Sequence, residues 1–304
     1  MTLEPKTLED LIQRLVECHA NQDKITAVNL SALNRVLEHK AEDMTATVEA
    51  GMSLADFQRQ LSALGQWLPI DPPHPEKLSI GDLLSANLSG TRRFGYGTVG
   101  DYLIGIKVVL ADGRAISPGG KVVKNVAGYD LAKLFIGSRG SLGVIAEATF
   151  KLRPLPEAEN FIAKKCESLD VADTLIEAVL NSELTPVVFD LHNRFGVPPS
   201  GGSGEEPPEG GTPNRSAQKC EVVCVLGFAG TQEEVDWQIT KARELGFNET
   251  GSLNYESQFW ADAAQVNRLS VLPSKAVEAI KSLNGIPFVA RAGNGIIYYR
   301  DDSE

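Results

Sequence analysis

Between Leu68 and Pro75 the chain reads Leu-Pro-Ile-Asp-Pro-Pro-His-Pro, and four prolines in eight residues forbid a helix there. Each proline removes a backbone donor and biases the residue before it toward extended geometry. The chain then changes character. Ser79-Ile-Gly-Asp-Leu-Leu-Ser-Ala-Asn-Leu-Ser-Gly90 predicts a short helix over 80–90, running into the glycine-rich Thr91-Arg-Arg-Phe-Gly-Tyr-Gly97. A helix start offers N–H groups and a dipole that favour an anion. Small residues let the backbone approach a flat ligand closely, and Arg92 and Arg93 add compensating charge. On spacing alone an ordinary loop explains the same string equally well.

The flanking segments fill in the organisation. Leu8, Leu11, Ile12 and Leu15 predict a helix over 8–19, and Ala46–Ala50 a short strand. Ser53 predicts the cap of a second helix carrying Leu54, Phe57 and Leu61 on its core face, with Gly65 as its C-cap. Residues 104–118 read as a hairpin turning at Ala111-Asp-Gly113, and 144–152 as a strand. Residues 119–143 hold six glycines, which marks a region that exposes backbone.

Arg153-Pro-Leu-Pro156 is the expected boundary between a domain over 1–156 and another over 157–304. Beyond it, strands at 161–166, 186–192 and 221–228 alternate with helices at 170–182 and 232–245, and a helix at 274–283 precedes strands within 287–300. That pattern predicts a small α+β layer. An insert near 197–219, rich in Gly, Pro, Glu and Ser, is expected to be disordered.

A net charge of −11 opposes nucleic-acid binding, which needs clustered Lys and Arg. No stretch predicts a transmembrane segment or a signal peptide, so the expected location is cytoplasmic. The four cysteines (Cys18, Cys166, Cys220 and Cys224) are too few and too scattered for a disulfide framework or an iron–sulfur pattern. Cys220 and Cys224 read as core residues of one strand.

The strings Pro72-Pro73, Ile80-Gly81 with Ala86-Asn87 and Gly90, Arg93-x-Gly95-x-Gly97, Lys124-Asn-Val-Ala-Gly-Tyr-Asp130 and Gly137-Ser-x-Gly140-x-Leu-Gly-Val-Ile145 occur together and in this order. In them the chain resembles the FAD-binding domain of the vanillyl-alcohol oxidase/p-cresol methylhydroxylase (PCMH) superfamily. Within it the similarity is strongest to the FAD-binding subunits of bacterial and cyanobacterial glycolate oxidases. The resemblance covers about residues 45–156 well and the remainder loosely. It implies an α+β fold: a two-part FAD-binding domain of the PCMH type, then a ferredoxin-like cap. It also implies non-covalent FAD, and two partners, a catalytic flavin subunit and an iron–sulfur subunit.

By position, the resemblance gives Ser79, Ile80, Gly81, Leu84, Asn87 and Gly90 as lining flavin and pyrophosphate. Arg92, Arg93, Gly95, Tyr96 and Gly97 would support the isoalloxazine or ribityl side, and Val144 and Ile145 would hold the cofactor through backbone groups. Tyr129 and Asp130 would brace the domain. The chain departs from the family at Gly81-Asp82, where a Gly-Gly pair is usual. It also departs near 21–25, where the family's first glycine-rich phosphate loop is missing and no glycine precedes Gly51. The end at Glu304 comes early for the family.

Flavin-dependent oxidation of a hydroxy acid needs a base for the hydroxyl proton and a cation for the carboxylate. The histidines are His19, His39, His74 and His192, and none sits in a catalytic constellation. His74 reads best as a loop-surface residue. The catalytic residues are therefore unassigned, and the chain is expected to be an oxidoreductase subunit, inactive alone, acting on the CH–OH group of 2-hydroxy acids. Two other readings stay open: an assembly subunit that keeps the fold without FAD, and a self-sufficient oxidase with His192 or Tyr129 as base.

Overall fold

The computed structural model describes residues 1–120, 131–193, 222–261 and 265–300. The chain divides into two compact units, Met1–Leu155 and Pro156–Glu304. The Lys124–Asp130 string, with Tyr129 and Asp130, lies outside the described residues, as do Cys220 and the 197–219 insert.

The first unit opens with β1 (Thr2–Leu3), α1 (Leu8–Asn21) and β2 (Ala27–Val28), where β1 and β2 pair in parallel. Thr7 caps α1 by accepting the Asp10 N–H at 3.1 Å, satisfying one of the donors every helix start leaves over. β3 (Val36–Lys40), β4 (Thr45–Glu49), α2 (Leu54–Ser62) and β5 (Gln66–Trp67) follow. Next come α3 (Ile80–Ala86), the single-turn α4 (Arg93–Tyr96) and α5 (Val99–Tyr102), then β6 (Leu103–Val109), β7 (Ala115–Ile116), β8 (Val144–Lys151) and β9 (Arg153–Pro154).

Five of these strands form one antiparallel sheet in the order β3-β4-β8-β6-β7. A β-bulge at Ala146, opposite Lys107 and Val108 of β6, resets the alternation along β8, so Ile145, Ala148 and Phe150 pack with α2 and α3 while Ala146 packs with α1. Phe57 of α2 meets Phe150 with ring centroids 5.9 Å apart, while Leu11 and Leu15 of α1 bury against Val109 and Ala146. Burying each such side chain contributes about 1.5–3 kcal/mol. The sheet is thus covered on both faces.

The second unit runs β10 (Ala158–Cys166), α6 (Leu169–Leu180), β11 (Val188–Asn193), β12 (Val222–Gly230), α7 (Gln232–Glu244) and β13 (Glu249–Thr250). It ends with α8 (Asn254–Ala261), β14 (Asn267–Ser270), α9 (Ala276–Ser282), β15 (Phe288–Arg291) and β16 (Ile296–Tyr299). Its seven strands form an antiparallel sheet in the order β13-β10-β12-β11-β15-β16-β14. α8 covers one face, with Tyr255 and Phe259 packed on Ala163, Val225 and Val289. Cys224 is buried on the opposite face of β12, so it is a core thiol.

Sequence periodicity locates the long capped helices and the central strands, and the structure adds β1, β2, β3, α8 and β14. These are short or half-exposed, so their apolar pattern is weak. The helix expected over 80–90 closes earlier. Asn87 takes the left-handed conformation at φ 51°, and the Leu88 N–H returns to the Leu83 carbonyl at 3.1 Å, a standard helix stop. α2 ends at Ser62 with Ala63 in a right-handed conformation, and the chain turns away two residues later at Gly65, φ 70°.

Candidate functional site

The first unit contains a cleft of about 840 Å3, within the range of small-molecule and cofactor sites. One wall is the 25–31 segment with Gly51 and Ser53. Another is the start of α3, with Lys77, Ser79, Gly81, Asp82 and Ser85, and the third is the 139–145 turn leading into β8. These walls converge because the backbones lie in contact. A Cβ at Gly51 would sit 1.8 Å from the Leu30 carbonyl oxygen, and Gly51 N–H donates to Leu33 at 2.9 Å. The 139–145 turn is tied to α3 by the Arg139 N–H on the Ser85 carbonyl, 2.9 Å, and the Gly137 N–H on Leu84, 2.9 Å. Gly140 and Gly143 have φ of 76° and 149°, conformations that side chains rarely adopt.

Of the residues anticipated from sequence, Ser79, Gly81, Val144 and Ile145 line this cleft. Ile80 and Leu84 are fully buried in the core on the other side of α3, and Asn87 ends that helix. The 90–97 turn is organised elsewhere. A Cβ at Gly90 would meet the Asp71 carbonyl oxygen at 1.8 Å. Asp71 accepts from the Thr91 hydroxyl, from the Arg92 N–H at 3.1 Å and from Arg92 Nη1 at 3.0 Å. The Arg92 guanidinium also lies 5.7 Å over the Trp67 ring, and Trp67 meets Tyr96 edge-on at 5.4 Å. Arg93 Nη1 donates to Ser89 Oγ at 3.0 Å. Gly97 takes φ 86° beside Asp101, whose carboxylate accepts the Thr98 N–H at 2.7 Å. Gly95 lies inside the α4 turn. The proline run and the glycine turn therefore bind one another through Asp71.

One expectation is corrected. The α3 start does not present unpaired N–H groups to the cleft: Ile80 N–H donates to the Met52 carbonyl at 2.9 Å, and Gly81 N–H to Ala50 at 2.7 Å. Asp82 N–H donates to Ser79 Oγ at 3.0 Å. A sequence shows that a helix begins, but not which distant carbonyls it meets. The polar groups that sequence reasoning missed are side chains, Lys77 and Arg139, together with the hydroxyls of Ser31, Ser85 and Ser141. The signal available was the Gly137-Ser-Arg-Gly140 string. With Leu15, Ile25 and Leu30 beside them, these groups make an apolar slot edged by hydroxyls and two cations, with the acids Glu76 and Asp82 in the same lining. The hydroxyls and cations are donors of the kind a dinucleotide needs.

The histidines carry no catalytic constellation among the described residues. His74 is exposed at φ 54°, with Nδ1 3.7 Å from Glu76, and His39 Nε2 is bonded to Gln66 at 2.8 Å. His192 is buried and stacked on Tyr255, ring centroids 4.3 Å apart. Among the described residues no cluster of His, Cys, Asp or Glu could hold a metal ion, and no helix is long and apolar enough to cross a membrane.

Residues 13–118 match the family described as FAD binding domain. Glycolate oxidase subunit GlcD of Bacillus subtilis (strain 168) is 34% identical over 230 residues, 69% of this chain and 49% of that one. Glycolate oxidase subunit GlcE of Escherichia coli (strain K12) is 32% identical over 143 residues, 47% of this chain and 41% of that one. D-lactate dehydrogenase of Archaeoglobus fulgidus is 40% identical over 125 residues, 39% of this chain and 26% of that one. The chain spans about half or less of the length of these relatives. A solved structure of alkyldihydroxyacetonephosphate synthase superposes with a TM-score of 0.72 at 17% identity, covering 98% of this chain and 70% of that one, which speaks for the fold alone. The first unit thus carries an FAD-binding domain of the PCMH type, and FAD is the cofactor such a domain takes. The chain is homologous to the glycolate oxidase subunits.

Proposed function

We propose that this protein is the FAD-binding subunit of a multi-subunit oxidase or dehydrogenase of glycolate or a related 2-hydroxy acid. The observation that carries the reading is the 840 Å3 cleft, walled by backbone-exposing glycines, hydroxyls, two cations and two acids, beside the FAD-binding match. On this reading Ser79, Gly81, Val144 and Ile145 border the dinucleotide directly. Ile80, Leu84 and Asn87 fix the geometry of α3 behind them, and the Gly90–Gly97 turn, with Arg92, Arg93 and Tyr96, supports the flavin end. When bound, FAD supplies a two-electron acceptor for the hydride leaving the hydroxyl-bearing carbon. The protein's own contribution is to bind and orient.

The second unit is read as a ferredoxin-like cap. Partners are a catalytic flavin subunit and an iron–sulfur subunit, in the cytoplasm. No base-and-cation set occurs among the described residues, and the isolated chain is read as inactive. A second reading, an assembly subunit without FAD, is favoured by the consumed N–H groups of α3 and by the lack of a glycine-rich loop near 21–25. The absorbance spectrum of the purified full-length protein decides between them. Flavin bands near one per chain, or uptake of added FAD, are expected. A colourless protein that takes up none would leave only the assembly role.

A further inference from the structure

We infer that the diphosphate of the bound dinucleotide is held by two side-chain cations, Lys77 and Arg139, rather than by the backbone at the start of α3. This rests on the FAD-binding reading above. The backbone route at the start of α3 is closed, because its first three N–H groups are already bonded to Met52, Ala50 and Ser79. The charge of a diphosphate must then be met by other groups in the cleft.

Both cations are available. Neither has an ion-pair partner among the described residues, in a chain of net charge −11. Two acids share the cleft lining without reaching either cation: Glu76 lies 3.7 Å from His74, and the Asp82 carboxylate accepts the Ser79 hydroxyl at 2.7 Å. Arg139 is also fixed where it stands, its N–H anchored on Ser85 of α3 at 2.9 Å. It holds φ 51°, and among the described non-glycine residues of positive φ it is the one in the cleft wall. Keeping a long cationic side chain there costs backbone strain that a glycine, as at neighbouring Gly140, avoids. A guanidinium matches phosphate oxygens through paired N–H donors, whereas the Lys77 ammonium serves as a point charge.

The test is calorimetric titration of the full chain, stripped of flavin where it carries any, with ADP, adenosine and FAD. The wild-type chain is expected to bind ADP at least tenfold more tightly than adenosine, with the difference shrinking as salt is raised. Arg139→Gly and Lys77→Ala are each expected to weaken ADP and FAD by about tenfold or more while leaving adenosine unchanged. Arg139→Lys should recover part of the loss. Gly at 139 suits the local φ, so a melting curve will show a folded variant. Unchanged ADP and FAD affinity in both variants, with the wild type binding, would overturn this inference and leave the FAD-binding reading intact. A wild-type chain that binds neither ADP nor FAD would overturn both.

Discussion

Each unit carries an arginine beside acids, and the two are used in opposite ways. In the first unit Arg139 stands exposed at the rim of the cleft, with no ion-pair partner among the described residues. In the second, Arg291 is 2% exposed beneath α8, and its Nη1 donates to both Asp190 Oδ2 and Glu256 Oε1 at 2.5 Å. Tyr255 adds its hydroxyl to the same Asp190 oxygen at 2.7 Å, and Arg291 also lies over the Tyr298 ring. The guanidinium stays charged because the two carboxylates outweigh the burial that opposes it. Exposure alone does not set the difference, since the exposed Arg35 is paired with Glu49. Arg291 is committed to its own fold by burial and two acids, whereas Arg139, exposed and without an ion-pair partner among the described residues, is the one proposed for the diphosphate.

The largest expected break in this comparison is Arg291→Met. It strands two acids under α8 and should cost about 3–5 kcal/mol, the range for removing one partner of a buried ion pair. Denaturant unfolding monitored by the tryptophans measures it, and a loss under about 1 kcal/mol would show that the cluster is not a buried pair in solution.

The next effect is one of pH. Burial, only partly opposed by Arg291, raises the Asp190 carboxyl to about 7. The folded protein therefore keeps a proton that the unfolded chain releases near its ordinary value of 3.8. That contribution is whole at low pH and is lost as pH rises through the window from about 4 to 7, with no further loss above it. The melting temperature should fall between pH 5 and 7.5, and Asp190→Asn should flatten the fall. The paired carboxylates such as Asp101 and Glu49 are held low, so their contribution disappears only in more acid solution.

The smallest effect is the reverse in sign. Arg139→Gly should leave the free protein unchanged or more stable, by under about 1 kcal/mol, because relief of the left-handed strain offsets the flexibility of glycine. A clear drop in melting temperature would mean that Arg139 supports the fold, and the comparison with Arg291 would lose its force.

The local elements were legible because their causes are local. Thr7, Ser53, Ser79, Ser168 and Thr231 each accept a backbone N–H three residues on, and the apolar stripe after each appears in the sequence itself. The strings from Pro72 to Ile145 carried the family and its cofactor. What the site residues do was less legible. Asn87 and Gly90 are typical of a ligand loop, yet Asn87 ends a helix and Gly90 allows contact with Asp71. Hydrogen-bond competition between groups far apart in the chain decides such roles.

Where helices begin, where the chain must be extended and where glycine lets backbone come close follow from the local residues, since sterics and capping act over a few positions. Long-range packing, by contrast, gives the donors of α3 to the carbonyls of Ala50 and Met52. It also brings Asp190 and Glu256, 101 and 35 residues before Arg291, onto that side chain from β11 and α8. Those outcomes depend on which groups packing brings within 3 Å of one another, and no local pattern in the chain encodes that.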